Sequence, residues 1–176
     1  MFVEMFYRVN QFAKALFAWP LTPDEISLVR DVLSQPEMDL FMRLSVSERK
    51  HSLGVYQNLV AEGERNPALL KAALLHDVGK SLFPLGLPER VGIVLGKRLF
   101  PERSKRWGKK DGRGLTKMFV VAERHPVWGA KMAENAGASP LVVQLIRKHH
   151  QRLPVGVDAS DEVRLLQKLQ RADQRN

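Results

Sequence analysis

Apolar residues return at intervals of three and four along most of this chain, and no stretch alternates strictly between apolar and polar, so the pattern predicts an all-α protein. Over residues 2 to 19, Phe2, Met5, Phe6, Val9, Phe12, Ala13, Leu16 and Phe17 form one stripe while Glu4, Arg8 and Lys14 stand off it, which predicts an amphipathic helix. Its aromatic stripe reads as a core face rather than a membrane anchor. Thr22-Pro23-Asp24-Glu25 then offers a capping hydroxyl, a proline for the first helical position and a glutamate for the third, starting a second helix toward Leu33. Ser34-Gln35-Pro36 reads as the turn that stops it. A third helix from about Ser47 puts His51, Val55 and Leu59 on one face and ends near Gly63. The run from Asn66 to Leu75 is apolar nearly all round, with Asn66 placed to cap it and Pro67 in its first turn; it reads as the buried central helix and delivers His76-Asp77 at its C-terminal end.

Further along, Pro84, Pro88 and Pro101 together with Gly86, Gly92, Gly96, Gly108, Gly112 and Gly114 interrupt any long helix, so residues 81 to 116 read as short helical pieces and a mobile loop. His125 then precedes Pro126 and a helix ending at Gly137. Ser139-Pro140 opens a helix running to His149-His150, and Asp158 to Asp173 forms a last amphipathic helix with Leu166, Leu169 and Asp173 on one face. The expected organisation is one helical domain over residues 47–176, with the amphipathic helices of residues 1–46 packed on its core.

Composition narrows the chemistry. A chain of 176 residues with 44% hydrophobic content can bury one substantial core. It has no cysteine, which excludes disulfide scaffolds, thiolate metal sites and thiol nucleophiles and leaves nitrogen and oxygen as the metal donors. Charge breaks the longest apolar stretch well before the roughly 20 residues of a membrane span. The N-terminal residues show neither a basic n-region nor a small-residue cleavage site, so a cytoplasmic location is expected.

The net charge of +9 calls for an anionic partner, such as phosphate, nucleotide, nucleic acid or an acidic lipid face. Most of the excess is local: residues 96–118 carry nine Lys or Arg against Glu102 and Asp111, a net +7. Glycines deny this segment a stable helix and its charge denies it a place in the core, so it is expected to be a mobile basic lid. Arg103, Lys105, Arg106, Lys109 and Lys110 would recruit substrate phosphates there; the plainer alternatives are a solvated excursion or a nucleic-acid surface.

All five histidines fall into one spaced array: His51, His76-Asp77, His125, then His149-His150, with Asp173 closing the series. Successive stations are far enough apart for a helix and its return, so the side chains can converge from different helices. Imidazole and carboxylate together hold divalent cations. One such histidine alone is more often a satisfied structural residue, but a chain that spends every histidine this way points to a metal cluster.

This order, with the local string Ala73-Leu74-Leu75-His76-Asp77-Val78-Gly79-Lys80, resembles the HD-domain superfamily of metal-dependent phosphohydrolases over about Arg49 to Asp173. The resemblance implies a helical bundle with divalent metal ions, two in number, between its helices; Mn, Fe, Mg, Ni, Co and Zn are not distinguished. Carried over, His51, His76, Asp77 and Asp173 would hold the first ion, and Asp77 would bridge to a second held by His125 and His149. A carboxylate suits the bridge because its two oxygens can face two cations, which a neutral imidazole cannot do. Lys80 resembles the lysine that lies beside the phosphate in such enzymes, where a fixed cation stabilises developing negative charge.

His150 resembles the second member of the pair in HD-GYP cyclic dinucleotide phosphodiesterases, as a ligand or as a hydrogen-bonding support. The chain departs from that subfamily at Gln151-Arg152-Leu153-Pro154, where a glutamate and a later Gly-Tyr-Pro would stand. The implied function is hydrolysis of a nucleotide or dinucleotide phosphoester by metal-activated water, with Asp77 and Lys80 as the catalytic pair. Two other readings remain open at this point: a di-iron oxygenase on nearly the same ligands, and a non-catalytic module that binds nucleotide or nucleic acid.

Overall fold

Helix starts follow the capping signals written into the chain. In the computed structural model, which describes residues 19–109, 114–153 and 160–176, helix α1 (Pro23–Val32) begins at Thr22. Its hydroxyl accepts from Glu25 N–H at 3.2 Å, while the Glu25 carboxylate accepts from Thr22 N–H at 2.7 Å. The expected helix over residues 2 to 19 falls outside the described residues, Trp19 apart. Ser34-Gln35-Pro36 is not a simple turn, contrary to expectation. Ser34 starts a further helix, α2 (Gln35–Met42), because Glu37 sits at its third position and accepts from Ser34 N–H at 2.8 Å. Helix α3 (Val46–Ala61) opens on the same device, with Ser45 and Glu48. Helix α4 (Pro67–Leu75) opens on Asn66, whose side-chain oxygen accepts from the N–H groups of Ala68 and Leu69.

Helix α4 is the axis of the bundle. Leu69, Ala72, Ala73, Leu74 and Leu75 are all fully buried, as its nearly uniform apolar sequence requires, and it packs against α1, α2 and α3 as well as two helices from the C-terminal half. Those two are α8 (Pro140–Lys148) and α9 (Asp161–Arg175). Among the described residues α9 begins after Ser160, whose hydroxyl accepts from Val163 N–H, rather than at Asp158. After α4 a 3-10 turn, Val78–Leu82, carries the chain away from His76-Asp77. Glycines at positive φ, Gly63 (85°) and Gly137 (82°), end α3 and the long helix α7 (Lys117–Asn135). In both, the next residue's N–H returns to a carbonyl five positions back, Glu64 to Leu59 and Ala138 to Ala133, each at 3.0 Å.

Two expectations are corrected here. His125 does not precede a helix; it lies in the middle of α7, which runs through Pro126. Proline removes one backbone bond, but Phe119, Val120 and Val121 before it and Gly129, Ala130 and Ala133 after it are all buried, so packing on both sides outweighs the lost bond. The basic segment is not a glycine-rich loop either. Helix α5 (Leu87–Leu99) carries the chain into it, α6 (Pro101–Lys109) occupies its centre, and a short 3-10 turn, Gly114–Thr116, leads into α7. Pro101 is the first residue of α6 rather than a break. Gly108 is buried against α7, where an added Cβ would lie 3.0 Å from the Glu123 side chain, so this glycine permits close packing instead of breaking the helix. Ser104 is buried on the same face, and Trp107 packs on Phe119 with ring centroids 5.1 Å apart. Arg103 and Arg106 are exposed on this helix, which also includes Lys105 and Lys109, while Lys110 lies outside the described residues.

Candidate metal centre

Every station of the histidine array reaches one place. His51 comes from α3, His76 and Asp77 from the turn that ends α4, His125 from the middle of α7, His149 and His150 from the end of α8, and Asp173 from α9. Two trios form, each with ligand atoms within 4.8 Å of one another: His51, His76 and Asp77, then His125, His149 and His150. Asp77 lies between them. Its Oδ2 is 3.5 Å from His76 Nε2, and its Oδ1 is 3.2 Å from His125 Nε2 and 3.9 Å from His149 Nε2. Asp173 Oδ1 is 2.8 Å from His51 Nε2 and 3.8 Å from His76 Nε2.

Backbone carbonyls fix how three of the rings face. Nδ1 donates from His76 to Ala73 at 2.9 Å, from His125 to Val121 at 3.0 Å and from His149 to Ile146 at 2.7 Å. A neutral imidazole that donates through Nδ1 keeps its lone pair on Nε2, and all three Nε2 atoms point into the cluster. His51 is set differently: Asn176 donates to its Nδ1 at 3.2 Å and to its own carbonyl at 2.7 Å, leaving Nε2–H to donate to Asp173. A cation taking the place of that proton would be held by the same two atoms.

Electrostatics favour a cation here. Burial alone would raise the Asp77 carboxyl, but the Lys80 ammonium, then His76 and His125, draw it well below the usual carboxylate range. Asp173 is likewise lowered, burial being outweighed by its hydrogen bond from His51 and by His76. Burial lowers His125 and, aided by His76 and His150, lowers His149 further. His150 is exposed on one side but packs edge-on against His125 and at a tilt against His149, and its pKa is lowered to about 4 by that desolvation and by His125. Ionised carboxylates and neutral imidazoles are the protonation states a metal requires. The sharpest sign is His76 Nε2, buried without a hydrogen-bond partner, 3.5 Å from one carboxylate and 3.8 Å from another. Such an orphaned buried nitrogen is costly unless a cation completes the site. The donor set and this orphan fit divalent metal.

Lys80, one turn beyond Asp77, places Nζ 2.5 Å from Asp77 Oδ2. Burial disfavours its charge, yet Asp77 first, then Glu48 and Asp173, raise its pKa above the ordinary lysine value. Glu48 is not one of the trios; its carboxylate caps α3 through Ser45, accepting from N–H at 3.0 Å and from the hydroxyl at 2.8 Å.

Several residues outside the histidine array position the cluster. A Cβ on Gly79 would strike the His125 carbonyl oxygen and approach Gly129 N–H to 2.7 Å, so only glycine lets the turn bearing Asp77 press against the helix bearing His125. Gln170, one turn before Asp173, donates to the carbonyls of His149 at 3.0 Å and Gln151 at 2.8 Å, which α8 leaves open where it ends. The Gly79 contact had its signal in the string after His76-Asp77, but Gly129 and Gln170 acquire their meaning only from tertiary approach.

A cleft of about 510 Å³ opens beside the cluster, lined by His149, His150 and Asp173 together with Glu123, Arg152 and Gln174 among others. Neither Arg103 nor Arg106 lines it. The matching family model, described as HD domain, covers residues 49–175. No curated protein and no solved structure shows a significant match to the chain.

Proposed function

The chain belongs to the HD-domain family, a superfamily of metal-dependent phosphohydrolases, and from that premise we propose that it hydrolyses a phosphoester of a nucleotide or dinucleotide in the cleft beside the histidine cluster. His51, His76, Asp77 and Asp173 would hold one divalent cation, and His125, His149 and His150, with Asp77 between, a second. When bound, such cations supply Lewis acidity toward phosphoryl oxygen and make water a better nucleophile at neutral pH. The chain's own residues do the rest. Backbone bonds to Nδ1 of His76, His125 and His149 hold their Nε2 atoms toward the cluster. Lys80, whose charged form Asp77 favours, is a fixed cation for negative charge growing on phosphorus-bound oxygen.

The observation that carries this reading is Asp77 itself: a buried, ionised carboxylate facing imidazoles of both trios on either side. A module that only bound nucleotide would have no use for a carboxylate so placed. The test is phosphate release by the metal-loaded chain from a panel of nucleotides, dinucleotides and phosphomonoesters. Release that disappears with chelator and with Asp77→Ala supports the reading. Full metal loading with no turnover on any phosphoester rejects it.

A further inference from the structure

Resting on that hydrolytic reading, we infer that Arg152 is the recognition residue for a second phosphate, so that the preferred substrate carries two phosphate groups rather than one. Arg152 lies three residues beyond His149 and lines the same cleft as His149, His150 and Asp173. Within the described residues its guanidinium makes no hydrogen bond or ion pair; the charged partners in the site are taken up elsewhere, Lys80 by Asp77 and His51 by Asp173. A cleft of about 510 Å³ accommodates a nucleotide-sized molecule.

Charge within the cleft selects where a second anion can go. Glu123 and Asp173 are carboxylates and repel it, while Gln151, Gln170 and Gln174 are neutral amides. Arg152 is the one permanent cation among the described lining residues, and its planar fork matches phosphate oxygens in pairs. The segment carrying it is anchored: Gln170 bonds to the carbonyls of His149 and Gln151, which ties the Arg152 backbone to α9 and to Asp173 one turn further along that helix. One phosphate would then sit at the histidine cluster and the other at Arg152. The remaining amides, Gln151 and Gln174, are suited to hydroxyl groups between them.

The experiment compares equilibrium binding, by calorimetry on Mn²⁺-loaded protein, of adenosine 3′,5′-bisphosphate and adenosine 5′-monophosphate, which differ by one phosphate. The wild-type chain should bind the bisphosphate more tightly by roughly 10- to 100-fold, the range of one charge-assisted contact. Arg152→Gln should erase that preference while leaving monophosphate binding, metal content and helicity unchanged, and Arg152→Lys should restore part of it. A wild-type chain with no preference, or an Arg152→Gln chain that keeps it, overturns the inference. Arg152-dependent preference with no phosphate release from any phosphoester of the panel would instead uphold the subsite and reject the hydrolytic reading.

Discussion

Asp77 is the residue on which both halves of the cluster depend, since one oxygen faces His76 and the other faces His125 and His149. Asp77→Ala should therefore remove most bound metal and all hydrolysis, as read by elemental analysis together with phosphate release; a variant retaining both would show that the carboxylate is not shared. Lys80 touches Asp77 but belongs to neither trio, so Lys80→Ala should keep metal content near wild type. Its turnover should fall by about 10²- to 10³-fold, the usual loss for one charge-stabilising donor. Unchanged kinetics with a lower melting temperature would make Lys80 purely structural.

The imidazoles also set a pH signature. His125, His149 and His150 have folded values below the ordinary 6.5, with His150 near 4, so between those limits the unfolded chain binds more protons than the folded one. Stability of the metal-free protein should be fully present above about pH 6.5 and fall as pH drops toward 4. Chemical denaturation at pH 7.5, 6 and 5 measures this. A flat profile over that range would contradict the buried, neutral state of these rings.

Among the elements, what was legible in the chain was local and what was not was tertiary. The capping residues Thr22, Ser45 and Asn66 announce their helices, and the uniform apolar run to Leu75 announces the central one. The same capping signal stands at Ser34 and Glu37, where Pro36 belongs to the first turn of α2 and is not a stop. Pro126 and Gly108 each break a helix in isolation and are tolerated here through packing: buried residues flank Pro126 on both sides, and Gly108 lies against α7. The ligand order could be read from spacing and family likeness, whereas the facing of each ring through Nδ1 could not, because it depends on carbonyls in turns formed only on folding. The approach of the 3-10 turn to α7 gives a test at this scale. Gly79→Ala forces a Cβ into backbone atoms of His125 and Gly129, which no rotamer change relieves. It should cost roughly 1 to 3 kcal/mol in denaturant unfolding and reduce affinity for the metal shared between Asp77 and His125. Gly129→Ala, whose nearest new contact is 3.1 Å, should be milder.

Taken whole, the molecule is a bundle whose two halves meet at one polar seam. Helices α3 and α4 bring one trio, α7 and α8 the other, and α9 adds Asp173 across them. Among the described residues no helix is long and apolar enough to cross a membrane. The described charge of α6, Arg103 and Arg106, is exposed and does not line the cleft. It should therefore act at long range: replacing both with serine should flatten the salt dependence of KM for a nucleotide and leave kcat on p-nitrophenyl phosphate unchanged. A fall in kcat on the small ester would place α6 in the site itself.

The proposed hydrolysis depends on two divalent cations held on either side of Asp77, and its most direct test is phosphoester hydrolysis during graded Mn²⁺ return to chelated protein. No hydrolysis is expected before metal is added, and the rate should rise until two ions are bound per chain. Hydrolysis that persists without metal, or its absence with both trios filled, would contradict it.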